Sequence, residues 1–298
     1  MPTKQAVFNT KRLPNLTDPG TIKELMRIFR IVPRRSRGQN FIINSSALDK
    51  ITRAASLSRE DLVIEIGPGL GALTAELIQK AGKVTAIEID PKLYAILQQT
   101  FARWPFDNLN FINEDALTFD IGSLAQRSID QSSELKQYKI VANLPYSITG
   151  RMIRRILEAK PGPHSIVLLV QKEVAERMVA NPPKMSILGV AVQTYGKAEI
   201  ISTVKPGSFM PKPNVNSAII RVKMHKRPLF GDLDSKKYFK VVKAGFSQKR
   251  KTLSNALSGG LAQDKKEIEN KLKSINIDPS VRAQHLKIEE WVRIAEAL

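Results

Sequence analysis

Leu62-Val-Ile-Glu-Ile-Gly-Pro-Gly-Leu-Gly71 is the stretch on which the fold turns. Its first five residues form a short apolar run of the kind that becomes a strand buried on both faces. Gly67, Gly69 and Gly71 follow at once. Glycines at that place let the chain turn tightly and let a ligand approach the backbone. Residues 72–80 then carry Leu73, Leu77 and Ile78 at helical spacing, and Gly82 is the stop signal. The segment reads as strand, glycine turn and helix, with the helix N-terminus presented to the turn.

The same alternation continues outward. Strands are expected at 84–87, 109–112, 140–142 and 166–170, and Pro91 opens a helix in its first turn, where a missing N–H costs little. Helical spacing recurs at 150–158 and 173–180. Repeated strand–helix–strand units with buried apolar strands imply a mostly parallel sheet covered on both faces, an α/β fold. Residues 198–204 and 217–224 read as two more strands closing one edge, separated by the Pro-rich turn 206–213. After about Pro228 strand signals cease, and 238–246, 252–257, 266–275 and 288–298 read as helices, with a loop at Asn276, Asp278 and Pro279. The expected organisation is a basic arm at 1–33, an α/β domain at 34–226 and a smaller all-helical domain at 227–298. Within the arm, 22–31 has the pattern of a short basic helix; a frayed terminus is the alternative.

Composition narrows the partners. Lys and Arg total 47 against 28 acidic residues, a net charge of +19. Cations in that excess favour a polyanion, because neutralising phosphates releases condensed counterions. Nucleic acid is read ahead of an anionic membrane surface. There are no cysteines, which excludes disulfides, thiolate zinc sites and cysteine nucleophiles. His164, His225 and His285 lie far apart without ligand spacing, so no metal is expected. No apolar run reaches the ~20 residues of a membrane span, and the N-terminus lacks the apolar core of a secretory signal. A cytoplasmic protein is expected.

Three positions carry chemistry around the glycine turn. Glu88 closes the second strand about 20 positions beyond Gly67, where a carboxylate accepts hydrogen bonds from ribose hydroxyls. Gly67, Gly69 and Ala72 also satisfy a dinucleotide fingerprint, which keeps a nicotinamide enzyme open. Asp115, after the third strand, is placed to accept from an adenine amine, with a plain turn or capping role as its alternative. Asn143-Leu144-Pro145-Tyr146 follows the fourth strand directly. Methylating an exocyclic adenine amine is difficult because the nitrogen lone pair is delocalised into the ring. Two acceptors gripping its N–H groups favour a tetrahedral nitrogen and aim the lone pair at a methyl donor. The Asn143 side-chain oxygen and the Pro145 carbonyl are the acceptors read here, and Tyr146 can stack on an extruded base. No general base is then obligatory. The plainer alternative is a strand-ending turn, since Asn and Pro form turns anyway.

Gly38-Gln-Asn-Phe41, Glu65-Ile-Gly-Pro-Gly-Leu-Gly71 and Asn143-Leu-Pro-Tyr146 occur in this order, followed by Ser208-Phe-Met-Pro-Lys-Pro-Asn-Val-Asn-Ser-Ala218 and Phe246-Ser-Gln-Lys-Arg-Lys-Thr-Leu253. From about Arg34 onward the chain resembles the ribosomal RNA adenine dimethyltransferase family, in its small-subunit branch. The resemblance implies a Rossmann-like, S-adenosylmethionine-dependent domain with a seven-stranded sheet. It also implies dimethylation at N6 of two adjacent adenosines in a hairpin loop near the 3′ end of 16S rRNA, linked to small-subunit assembly. Asn40 and the Ile42 backbone would then hold the methionine and ribose end of the donor. Gly67 and Gly69 would lie under it, Glu88 would take the ribose hydroxyls and Asp115 the adenine amine. Asn143 would touch donor and target, and Phe209 would wall the target base, with a core aromatic as its alternative. Arg34, Arg35 and Arg37 would steer RNA phosphates, and Lys249-Arg250-Lys251 would contact the RNA backbone unless it is only a solvated helix face. The expected partner is the assembling small subunit, with no membrane, and a monomer is expected. The competing readings are a large-subunit rRNA adenine methyltransferase, a non-catalytic assembly or transcription factor on the same scaffold, and a DNA adenine methyltransferase. Leu144 argues against the last, whose related motif has proline there.

Overall fold

The computed structural model describes residues 13–32, 39–102 and 106–298. These fall into two compact units. One takes the described residues up to Ala175 together with Glu199–Lys223; the other takes Glu176–Ala198 with Met224–Leu298.

In chain order the strands are β1 (Phe41–Ile42), β2 (Asp61–Ile66), β3 (Lys83–Ile87), β4 (Leu109–Ile112), β5 (Gln137–Asn143), β6 (Ser165–Gln171), β7 (Gly196–Val204), β8 (Phe209–Met210) and β9 (Ser217–Met224). Seven form one sheet in the order β4-β3-β2-β5-β6-β9-β7. The neighbours from β4 to β6 are parallel, and β9 runs antiparallel to β6. All six residues of β2 are buried, as expected for a central strand covered on both faces. The chain steps outward from β2 to β4 and returns with β5 on the other side of β2. Strand order therefore reverses between β2 and β5, and sheets of this kind bind ligands beyond the carboxyl ends at such a point.

At the opposite end of these two strands lies a buried ion pair. Lys139 Nζ donates to Asp61 Oδ2 at 2.9 Å, and also to the carbonyls of Ala55 and Ser56. Gln137 Nε2 and the N–H and hydroxyl of Ser58 also donate to Asp61. Burial alone would raise the Asp61 carboxyl, but these hydrogen bonds and the Lys139 charge hold it below its ordinary value.

The N-terminal helix spans Pro19–Ile28, three residues earlier than the periodicity suggested. The start is set by Asp18, whose carboxylate accepts the Thr21 N–H at 2.7 Å, with proline in the first turn. Ile22 and Leu25 are fully buried, so this helix is packed, not frayed. Residues 1–12 of the expected basic arm lie outside the described residues.

Helices at Ser45–Ala55, Ile121–Asp130 and Ile187–Tyr195 were not marked by the periodicity. Each begins at a polar cap, Asn44, Asp120 or Ser186, whose side chain accepts an N–H from the first turn. The apolar, partly β-branched run of the third hid its helical character. It belongs to the second unit, which is why that unit reaches back to Glu176 instead of starting at 227. The second unit otherwise consists of helices Ser235–Phe246, Leu253–Leu261, Lys265–Ser274 and Ile288–Ala297, packed around Tyr238 and Trp291.

Candidate active site

The parallel register aligns the carboxyl ends of four strands. Ile66 pairs with Ile87, Ile87 with Ile112, and Glu65 with Val141. The glycine turn, Glu88, the loop with Asp115 and the Asn143 turn therefore emerge side by side. They line one cavity of about 320 Å³, together with residues 39–42. Asn40, Ile42, Gly67, Gly69, Glu88, Asp115, Asn143, Pro145 and Tyr146 all lie on its walls.

Gly67, Gly69 and Gly71 have φ of +68°, +62° and +90°, conformations that L side chains rarely adopt. Gly71 is doubly constrained, because a Cβ there would sit 2.6 Å from the Phe101 ring. Glu88 is 4% exposed and ties the turn to the next strand. Its Oε2 accepts the Gly69 N–H at 3.1 Å and its Oε1 the Asp90 N–H at 2.9 Å. Each oxygen keeps a lone pair for a ligand hydroxyl. Burial pushes this carboxyl up to about 7, with the Asp90 charge adding to the rise and the backbone N–H groups of Asp90, Gly69 and Ile89 pulling against it. Glu65, behind the turn, is fully buried and accepts the Thr74 hydroxyl at 2.6 Å; burial drives it to about 8, with Glu88 adding a like charge. Asp115 Oδ1 accepts the Leu117 N–H at 2.9 Å, as a turn residue does, and the residue also borders the cavity.

Asn143 Nδ2 donates to the Asn40 carbonyl at 2.9 Å. That bond orients the amide and leaves Oδ1 with no donor among the described residues. Pro145 differs from expectation. Its carbonyl already accepts the Ile148 N–H at 3.2 Å and the Thr149 hydroxyl at 3.0 Å, which fills both lone pairs and starts the helix Thr149–Leu157. The Leu144 carbonyl, one residue earlier, accepts no hydrogen bond from the described residues, and Leu144 lines the cavity. Tyr146 is half-buried and exchanges a hydrogen bond with Ser217 at 2.7 Å; burial raises its phenol above the ordinary value, so it stays neutral.

Phe209 is a second correction. It is 3% exposed, sits in the main apolar core with Val204 and Ile219, and does not line the cavity. The cause is the two-residue ladder of β1 and β8, in which Ile42 pairs with Phe209 and Phe41 with Met210. Successive strand residues face opposite ways, so Phe209 turns into the core while Met210 packs beside Phe41 and Leu70.

Leu16, Glu65, Ile89, Leu144 and Arg151 border the cavity without having been singled out as site residues. Ile89 carried a local signal, an apolar residue between an acidic strand end and the helix start at Asp90-Pro91; it is 53% exposed. Lys249, Arg250 and Lys251 are exposed in the turn between two helices of the second unit, not on a helix face. Gly38, Arg34, Arg35 and Arg37 lie outside the described residues. Among the described residues no group of three or more His, Asp or Glu is placed to hold a metal ion, and no helix is long and apolar enough to cross a membrane.

Glycines opening a backbone wall, apolar sides and two carboxylates at separate strand ends fit a nucleoside-bearing ligand. By class this is a Rossmann-like methyltransferase domain. A family model described as ribosomal RNA adenine dimethylase matches residues 32–298. Similar proteins include the ribosomal RNA small subunit methyltransferase A of Dehalococcoides mccartyi (strain CBDB1), 40% identical over 272 residues, 91% of this chain and 90% of that one. The protein of the same description from Bacillus cytotoxicus is 37% identical over 291 residues, 96% and 98% of the two chains. Among solved structures, a dimethyladenosine transferase from Plasmodium falciparum matches with a TM-score of 0.70 at 26% identity, covering 85% of this chain and 95% of that one. The 23S rRNA methyltransferase ErmE matches with a TM-score of 0.66 at 26% identity, covering 87% and 99%. The chain belongs to the ribosomal RNA adenine dimethylase family.

Proposed function

We propose that the protein dimethylates N6 of two adjacent adenosines in a hairpin loop of small-subunit ribosomal RNA, using S-adenosylmethionine. The observation that carries this reading is the position of Asn143: it shares one cavity with the glycine turn, and its amide is oriented by the Asn40 carbonyl at 2.9 Å with Oδ1 left to accept. The donor supplies an electrophilic methyl on a sulfonium centre. Glu88 holds ribose hydroxyls, Asp115 the adenine amine, and Asn40 with the Ile42 backbone the methionine end. Asn143 Oδ1 and the Leu144 carbonyl grip the target amine, the second acceptor moving from Pro145 because that carbonyl is already satisfied. Tyr146, neutral and hydrogen-bonded to Ser217, offers a face for the extruded base. After the first transfer one N–H remains, so a single acceptor can hold the amine for the second.

The net charge of +19 supports an RNA partner, and the exposed Lys249–Lys251 turn makes the second unit a candidate for backbone contacts. The site in the cell is the cytoplasm, on an assembling small subunit, with the protein acting as a monomer and without a metal. The small-subunit descriptions of relatives near 40% identity favour this target over the large subunit, whose enzyme ErmE is 26% identical.

The test is to incubate the protein with labelled S-adenosylmethionine and under-methylated small subunits, then map the labelled nucleotides, with naked rRNA and large subunits as controls. Dimethyladenosine at two neighbouring positions is expected. Asn143→Ala, checked for intact folding, is expected to lose at least about 100-fold in rate, the scale of one preorganised acceptor. Wild-type rates in that variant would remove Asn143 from the mechanism.

A further inference from the structure

The family model begins at residue 32, yet the chain before it reaches the cavity. Leu16 is 4% exposed and lines the cavity wall, the one lining residue among the described positions 13–32. The surrounding turn is built to hold it. Asn15 Oδ1 accepts the Thr17 N–H at 3.1 Å and the Thr17 hydroxyl at 2.7 Å, and the Asn15 carbonyl accepts the Asp18 N–H at 3.1 Å. Asp18 then caps the helix Pro19–Ile28. That helix is anchored on the cavity's own walls. Ile22 shares a cluster with Phe41, Leu70 and Leu93, all of which also line the cavity. Leu16 and Leu25 join the main core with the lining residues Ile42 and Leu73.

The helix that follows Leu16 marks which half of the cavity this segment covers. Ile22 clusters with Leu70 of the glycine turn, Leu93 of the helix after Glu88 and Phe41 of the strand beside the turn, all lining residues. The target half is formed instead by the turn that follows β5. An apolar side chain on the wall of a cavity that takes a nucleoside offers the ligand van der Waals contact, while the polar groups fix orientation.

We propose that Leu16 is a binding residue for the methyl donor, held at the donor half of the cavity by the turn at residues 15–18 and the helix Pro19–Ile28 behind it. The inference rests on the donor assignment made under the proposed function. It adds a binding element that lies outside the matched family segment.

The experiment uses the full chain, comparing the unchanged protein with Leu16→Ala and the volume-conserving Leu16→Met. Calorimetry measures affinity for S-adenosylmethionine and S-adenosylhomocysteine, and melting is followed without ligand. Losing the few side-chain atoms that face the cavity is expected to weaken donor binding about two- to fourfold in L16A, with most of the affinity restored in L16M. The KM for small subunits at saturating donor stays unchanged. A lower melting temperature in L16A with unchanged donor affinity would overturn the proposal and leave Leu16 as core packing. Unchanged donor affinity with a raised KM for RNA would also overturn it, moving Leu16 to the target side. Failure of the unchanged protein to bind the donor would overturn the donor assignment itself. That outcome is distinct from equal binding by both proteins, which sinks this proposal alone.

Discussion

Replacing Glu88 by glutamine tests the donor half of the site most directly. The carboxylate accepts one backbone N–H on each oxygen, from Gly69 and from Asp90. An amide has one acceptor oxygen, so E88Q must point NH2 at one of those donors. It therefore loses one charge-assisted hydrogen bond and weakens the others. A hydrogen bond to a charged group contributes about 1.5–3 kcal/mol against about 0.5–1.5 for a neutral one. The donor Kd is expected to rise roughly 10- to 100-fold. The native carboxyl sits at about 7 because it is buried. If the ionised form binds the ribose hydroxyls, affinity falls about tenfold as the pH drops from 8 to 6. The donor's own α-amine titrates near ~8, so the quantity to read is the difference between the two proteins across that range. Calorimetric Kd values at pH 6, 7 and 8 supply it. The fall specific to the native protein should vanish in E88Q. A variant with native affinity, or with the native pH profile, would refute the assignment of Glu88 to the ligand.

Two further outcomes follow from burial. Glu65, raised to about 8, binds its proton more tightly folded than unfolded, so its contribution to stability is complete below about pH 4.5 and is lost as the pH rises through 8. E65Q, which keeps an acceptor for the Thr74 hydroxyl, should raise the ligand-free melting temperature at pH 8 and do little at pH 5; equal effects at both would contradict the cause given. Phe209→Ala should cost about 3–5 kcal/mol in denaturant unfolding, as expected for a core aromatic. A raised KM for RNA at unchanged stability would return Phe209 to the target base.

Much of this site was legible because parallel strands put their carboxyl ends together. Glu88, Asp115 and Asn143 each follow an apolar run, and once the runs are aligned in register their neighbours in space are determined. Phe209 was misread because a two-residue strand has no periodicity to show which side faces inward. Pro145 was misread because lone-pair use depends on the turn: nothing in the motif says that Ile148 and Thr149 fold back onto that carbonyl. Leu16 was invisible because it is one apolar residue among turn formers, and its burial depends on a helix that packs against residues far along the chain. The helix Ile187–Tyr195 was hidden by branched apolar residues that also suit a strand, and the boundary of the second unit was missed with it.

The Lys139–Asp61 pair fixes more than local stability. A strand displaced by one position exposes its opposite set of side chains, and such a slip of β5 along β2 would turn Asn143 away from the glycines. It would also strand an ammonium and a carboxylate without their mates in a dry interior, a penalty of about 3–5 kcal/mol. The pair thus works as a locating pin at the far end of the two strands. The spacing between the two reacting partners is set during folding, before either of them arrives.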